Sequence, residues 1–141
     1  MPDDERGSAS LEFLTVGMIM LVPLVYLVLA VGAIQSASLG VEGAARQAAR
    51  VSVQTTDGAS IDSVARAARV TLADYGIDED AIAIAIDCDA ACDVPGTRVT
   101  VRVEVEVALP LVPQLIASAG IGTVHVASEA TQTVSRFART S

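Results

Sequence analysis

The chain has 141 residues, of which 52% are hydrophobic and only 3% aromatic, and its formal net charge is −8. All nine basic residues are arginine. An acidic chain without a basic patch or stacking aromatic side chains is not expected to bind nucleic acid. The length fits one membrane-spanning segment and one small domain, and the acidity is expected of a solvated surface.

The first predicted element is a long apolar helix. No charged residue occurs at positions 13–41, and Leu11–Ile34 is apolar almost throughout apart from Glu12. Because a helix rises about 1.5 Å per residue, about 20 such residues cross a hydrocarbon core of about 30 Å. The core helix of a small soluble domain would have a polar face at every third or fourth position, and none appears before Gln35. The segment is therefore predicted to span a membrane.

The predicted helix begins near Ser8 and continues to about Gln54. Proline removes a backbone hydrogen bond, so a local bend is expected at Pro23. Beyond Ile34 the pattern becomes amphipathic. Side chains predicted to face the domain are Leu39, the alanines and Val51, and those predicted to face solvent are Glu42, Arg46 and Arg50.

A lone carboxylate stands at the start of the apolar run. Glu12 follows Gly7 by five positions and directly precedes Phe13. A charge without a partner costs about 2.5–3.5 kcal/mol at the centre of a membrane helix and less near an interface. A glycine, four residues, a glutamate, an aromatic residue and a long apolar helix resemble the class III signal of type IV prepilins, in particular its Flp/Tad branch. The simpler interpretation is that Glu12 marks the cytosolic edge of a signal-anchor helix.

The resemblance implies how the N-terminus is processed and used. In that family the prepilin peptidase, a membrane aspartyl peptidase, cuts after the glycine. Gly7 would then be the last leader residue, Ser8 the first mature residue and Glu12 the fifth. Glu12 and Phe13 would act in assembly, where the N-terminal helix meets other pilin or pseudopilin subunits.

The segment after the apolar run extends the resemblance. Residues 40–50 are rich in alanine and arginine and are similar to the end of the TadE-like domain, which corresponds to about Arg6–Val51. The resemblance implies a minor pseudopilin, a structural and assembly component of a Tad (Flp) type IV pilus or a related secretion apparatus.

Charge does not fix the orientation in the membrane. Arg6 precedes the apolar run, but Arg46 and Arg50 follow it, so the positive-inside rule slightly favours an N-terminus outside the cytoplasm. The first residues are also acidic, unlike the start of a secretory signal peptide. The prepilin resemblance implies the opposite orientation, with a cytoplasmic N-terminus, one pass through the cytoplasmic (inner) membrane and an extracytoplasmic domain.

A second helix is predicted after a break at 55–58. It runs from Ser60, a plausible N-cap, to Tyr75, and Gly76 suits its end. Its predicted apolar face consists of Ile61, Val64, Ala68, Leu72 and Tyr75.

Three strands follow, at Ala81–Ile86, Arg98–Leu109 and Val124–Val134. Each alternates between two faces, most clearly Arg98–Leu109, where valines alternate with threonine, arginine and glutamates. The first two strands are expected to form a hairpin. The apolar connection 109–122 is either a partner surface or a loop folded under its own domain.

The predicted fold class is α+β, with a long N-terminal transmembrane helix and a small domain of one helix packed on a three-stranded antiparallel sheet. The predicted division of the chain is a prepilin-type leader at 1–7, the transmembrane helix and its extension at 8–54, and the extracytoplasmic domain at 55–141. The last residues, from Phe137, are expected to fray.

The chain has only two cysteines, Cys88 and Cys92, which flank an expected turn. With no histidine nearby, they suit a small-loop disulfide in an oxidising compartment, or else remain free structural thiols. A zinc site would need two further ligands, and the sole histidine, His125, is one candidate at best. No metal site is therefore expected there.

Motifs for catalysis are not found in the sequence. It has no phosphate loop, nucleophile elbow or metalloprotease helix, and one histidine offers little for acid–base chemistry. The acidic residues at 78–80, 87, 89 and 93 lack the glycine and the terminal glutamate of an EF-hand loop, which favours surface charge over a calcium site. The chain is not expected to be an enzyme or to need a cofactor.

Two other functions remain open from the sequence. One is a single-pass, membrane-anchored ligand-binding or sensor module. The other is a secreted protein whose first stretch is an ordinary signal peptide, cut near residues 36–38. The three functions differ in the length of leader that is removed, which is seven residues, none, or nearly forty.

Overall fold

The computed structural model describes residues 5–54 and 60–137 and has the predicted α+β fold. A long apolar N-terminal helix is followed by a second helix and a three-stranded antiparallel sheet, which confirms the fold class. The helices and strands in chain order are α1 (Glu5–Gln54), α2 (Ile61–Ala73), β1 (Ile82–Cys88), β2 (Arg98–Ala108), α3 (Gln114–Ala117) and β3 (Thr123–Thr133).

The element boundaries lie within a few residues of those predicted. The largest difference is at the start of α1, which begins at Glu5 rather than Ser8. Ser60 is the N-cap of α2 as predicted, and its hydroxyl accepts a hydrogen bond from the Ser63 amide. The predicted helix break at 55–58, the leader residues 1–4 and the tail residues 138–141 lie outside the described residues.

The centre of the sheet is β2, which pairs with β1 on one side and β3 on the other. Alternation decides which residues enter the core, because successive side chains of a strand point to opposite faces. The valines of β2 form the buried row, and they are Val99, Val101, Val103 and Val105. The other face is polar, with the Thr100 and Thr131 hydroxyls hydrogen-bonded at 2.8 Å across β2 and β3. This face is suited to water.

The second half of α1 lies on the sheet against β2 and β3, and α2 packs mainly on α1. The side chains of α1 at this contact are small, and the buried ones include Ala44, Ala45, Ala48 and Ala49. Small side chains let the backbone of the helix come close to the valines of β2. The extension of α1 past the apolar run is therefore part of the domain core.

The two long helices run antiparallel and meet at glycines of α1. A Cβ atom on Gly40 would lie 2.8 Å from Cγ of Tyr75, and one on Gly43 would lie 3.7 Å from Cγ2 of Thr71. The first of these distances is shorter than a carbon–carbon contact allows, so the absence of a side chain at Gly40 permits this approach.

Three apolar residues predicted to lie on an apolar face are exposed instead, and one of them is Tyr75, which is 43% exposed and lies past the end of α2. Leu39 is 62% exposed because it lies two residues, about 200° of helical rotation, after the buried Ala37. Ile61 is 74% exposed and lies at the very start of α2, almost one turn before Val64, the first buried residue of that helix.

Candidate functional site

The most unusual surface of the molecule is the first half of α1. From position 11 to position 29 every side chain is exposed except the half-buried Tyr26. The large exposed hydrophobic side chains between 11 and 31 number fifteen, and they are Leu11, Phe13, Leu14, Val16, Met18, Ile19, Met20, Leu21, Val22, Leu24, Val25, Leu27, Val28, Leu29 and Val31. We call residues 11–29 the uncovered segment of α1.

The uncovered segment ends where the domain begins. Ala30 is the first buried residue of α1, and Ala37 and Val41 follow on the same face. The whole helix has 50 residues and is about 75 Å long. Its part before Ala30, counted from the first residue with a described side chain, is about 30 Å long. That length matches the hydrocarbon core of a bilayer. Among the described residues, α1 is the one helix long and apolar enough to span a membrane.

The small buried fraction of this helix distinguishes it from the core helix of a soluble protein. A core helix of similar hydropathy would be mostly covered by its own chain, but only 6% of the most apolar stretch of α1 is buried. Fully covering one exposed large apolar side chain is worth about 1.5–3 kcal/mol, and since these fifteen are 42–79% exposed, covering them all amounts to about 14–27 kcal/mol. That is as large as or larger than the usual stability of about 5–15 kcal/mol of a whole domain. The uncovered segment therefore requires a cover that the described part of the chain does not supply.

The predicted processing and assembly residues lie together at the start of α1. Gly7 and Ser8 are in its first turns, and Glu12 is one helical turn after Ser8 on the same face. The Glu12 and Phe13 side chains are both exposed. Among the arginines whose side chains are described, none forms an ion pair with Glu12. A carboxylate at the start of an apolar helix thus has no cationic partner of its own there.

The cysteines lie at the opposite end of the molecule, in the turn between β1 and β2. Cys88 and Cys92 are at disulfide distance, with their Sγ atoms 2.04 Å apart and their Cα atoms 5.5 Å apart. Next to them the Arg98 guanidinium donates a hydrogen bond of 2.8 Å to Oδ2 of Asp89. The turn is also tied to the end of β3, because the Gly96 amide donates to the Val134 carbonyl.

His125 is far from the cysteines. Cys88 pairs with Val99 of β2, whereas His125 pairs with Glu106, seven positions farther along the strand (99 to 106) and about 23 Å away. His125 cannot join the cysteines in a metal site. Over the residues with described positions, no group of three or more His, Cys, Asp or Glu side chains is arranged to hold a metal ion.

The sequence did not predict where the connection between β2 and β3 lies relative to α1. Leu111 lies beside the uncovered segment of α1 and lines a shallow apolar groove with it. The connection is neither folded under the domain nor remote from the apolar helix. The absence of Asp, Glu, Lys and Arg from 107 to 128 indicates that the connection has an apolar environment. No periodicity in the sequence indicates which part of α1 the connection contacts.

Comparison of the chain with family models, with curated proteins and with solved structures gave no match. The resemblance to the TadE-like family therefore rests on the motif at 7–13 and the segment at 40–50, and stays a prediction.

Proposed function

We propose that this chain is a membrane-anchored minor pseudopilin, a structural and assembly component of a Tad (Flp) type IV pilus or a related secretion apparatus. The observation that supports it most directly is the uncovered segment of α1, an exposed apolar helix with a single carboxylate near its start. Such a helix is suited first to a lipid bilayer and then to a bundle of identical or similar helices, since both provide an apolar cover.

Glu12 distinguishes an assembly subunit from a domain on a simple anchor. Cleavage after Gly7 by the prepilin peptidase leaves a new amine on Ser8, one turn from the Glu12 carboxylate. The carboxylate is then neutralised either by the amine of its own chain or by that of a neighbouring subunit. Both pairings lower the cost of a charge at an apolar boundary, but only the second needs a partner.

The orientation in this proposal places the N-terminus in the cytoplasm and the domain outside the cytoplasmic membrane. Cysteines at disulfide distance in the domain fit an oxidising compartment. The secreted alternative fits less well, because a cut near residues 36–38 would fall inside α1, where Ala37 is 4% exposed and packed in the domain.

The proposal is tested by replacing Glu12 with leucine. Glu12→Leu removes a costly charge, so membrane fractionation is expected to be retained and removal of residues 1–7 to be largely unchanged, while incorporation into the pilus machinery is lost. Glu42→Leu is the matched control, since it makes the same change at an exposed position of the same helix, beside the domain. It is expected to leave incorporation unchanged. Normal piliation with Glu12→Leu would show that Glu12 is only an edge marker and would refute the assembly role.

A further inference from the structure

The connection between β2 and β3 exposes apolar side chains without a single charge. No Asp, Glu, Lys or Arg occurs from 107 to 128, a stretch that includes the whole connection 109–122. Leu111 is 82% exposed and Leu115 is 89% exposed. Ile116 and Ile121 are exposed as well. A water-facing loop of this length normally has charged or strongly polar residues, and this one presents a concentrated apolar tip.

The connection reaches along α1 beyond the end of the domain. Where β2 ends, Ala108 shares a groove with Ala33 and Ala37 of α1. Leu111, three residues later, shares a groove with Val25 and its neighbours. From Ala33 back to Val25 is eight residues, or about 12 Å along the helix axis. Leu111 therefore lies beside the uncovered segment, in the half nearest the domain.

The backbone of the connection is partly satisfied from within. Pro110 and Pro113 have no amide hydrogen, and the Leu109 amide closes the base of the connection by donating to the Gly122 carbonyl at 2.9 Å. The other amides that donate to carbonyls of the connection are those of Val112, Ile116, Ala117, Ala119, Gly120 and Ile121. The Ser118 hydroxyl donates to the Leu115 carbonyl at 3.1 Å. Irregular backbone is not found exposed to lipid in the hydrocarbon core, so this connection is suited to the headgroup boundary, where water can satisfy its remaining polar groups.

The conformation at Leu111 keeps its large side chain beside the helix. Leu111 has φ of 68°, in the left-handed region that glycine adopts freely and leucine rarely. At the other end of the connection Gly122 has φ of 77°, and a Cβ there would lie 2.9 Å from Cγ2 of Val112. Gly122 therefore permits Val112 to lie against the far end of the connection, while Leu111 stays exposed beside α1.

We propose that the connection 109–122 is a second membrane-contacting element, which inserts its apolar side chains at the headgroup–acyl boundary of the leaflet nearest the domain, beside α1. The inference rests on the proposed membrane anchoring and adds to it a second contact that fixes how the domain sits on the bilayer. Lipid is the occupant because the tip is continuous with the apolar face of α1. The tip also offers no charge for a protein partner to recognise.

The chain has no tryptophan, so single tryptophans report depth without further engineering. The full-length protein is placed in phosphatidylcholine bilayers with brominated acyl chains, with Leu115→Trp as the test variant. Val28→Trp in α1 is the reference within the membrane, and Val70→Trp, also at an exposed valine but on α2, is the reference in water. Leu115→Trp is expected to show blue-shifted emission and quenching by brominated lipid as for Val28→Trp, and protection from aqueous acrylamide relative to Val70→Trp. Ile121→Trp is expected to behave in the same way as Leu115→Trp.

Each contrary outcome has a distinct meaning. If Val28→Trp is in lipid but Leu115→Trp and Ile121→Trp are quenched by acrylamide as strongly as Val70→Trp, the second contact is refuted and the anchor stands. If the two loop tryptophans are shielded from both quenchers, protein covers the tip, and the lipid proposal is also refuted. If Val28→Trp is itself quenched from water, the membrane anchoring fails.

Discussion

At the scale of single residues, the closest approach to a glycine of α1 among the described residues is at Gly40. A Cβ there would lie 2.8 Å from Cγ and 3.3 Å from Cβ of Tyr75. Both of these atoms are close to the backbone of Tyr75, so the ring cannot avoid a methyl group by moving only its far end. Gly32 lies in the same helix, and a Cβ there would meet nothing within 4 Å.

This pair of glycines gives a matched prediction. Alanine in place of a helical glycine gains up to about 1 kcal/mol of helix propensity. Overpacking a tight contact costs about 1–3 kcal/mol. Gly40→Ala is therefore expected to lower the melting temperature of the domain in detergent, whereas Gly32→Ala leaves it unchanged or raises it. Equal melting temperatures for Gly40→Ala and the unmodified chain would show that α1 and α2 do not approach as closely as described.

The lone carboxylate is the other informative residue at this scale. Sequence alone located Glu12 relative to Gly7 and Phe13, because the spacing is local. What the sequence did not reveal is that Glu12 has no ion-pair partner among the described side chains of its own chain. That fact depends on where the arginines of the folded domain lie.

At the scale of elements, strand alternation was sufficient to predict β2 and its buried valines. Period-two patterning is strong when one face is covered and the other solvated, as at Val103 and Arg102. The helical periodicity of apolar residues predicted the buried face less reliably in the second half of α1. Small residues there occupy most positions, so the apolar pattern does not single out one face and Leu39 was wrongly assigned to the core. The approach of α2 to Gly40 depends on tertiary packing and has no local signal.

The β1–β2 hairpin has its own testable feature, the cysteine pair in its turn. A cross-link that closes a loop of about five residues is expected to stabilise the domain by about 2 kcal/mol through the chain entropy of the unfolded state. Reductant is therefore expected to lower the melting temperature of the purified unmodified chain to that of the Cys88→Ser/Cys92→Ser variant. The variant itself should not respond to reductant. A melting temperature of the unmodified chain that is insensitive to reductant would show that the two thiols are not joined.

At the scale of the whole molecule, α1 has two different surroundings along its length. The segment before Ala30 is uncovered, and the segment from Ala37 onward is packed between the sheet and α2. Sequence predicted this division from the end of the apolar run, because hydropathy and charge change there together. It did not predict how far the domain extends back along the helix, since the position of Leu111 beside Val25 is set by the fold of the connection 109–122.

The most direct test of the pseudopilin proposal is the intact mass of the protein extracted from membranes under non-reducing conditions. In cells with an active prepilin peptidase, the expected mass is that of residues 8–141, less the two hydrogens lost when Cys88 and Cys92 are joined. Cells that lack the peptidase are expected to give the same disulfide with residues 1–7 retained. A chain that keeps Met1 to Gly7 in the presence of the active peptidase would contradict the proposal, and a chain that begins near residue 37 would favour a secreted protein instead.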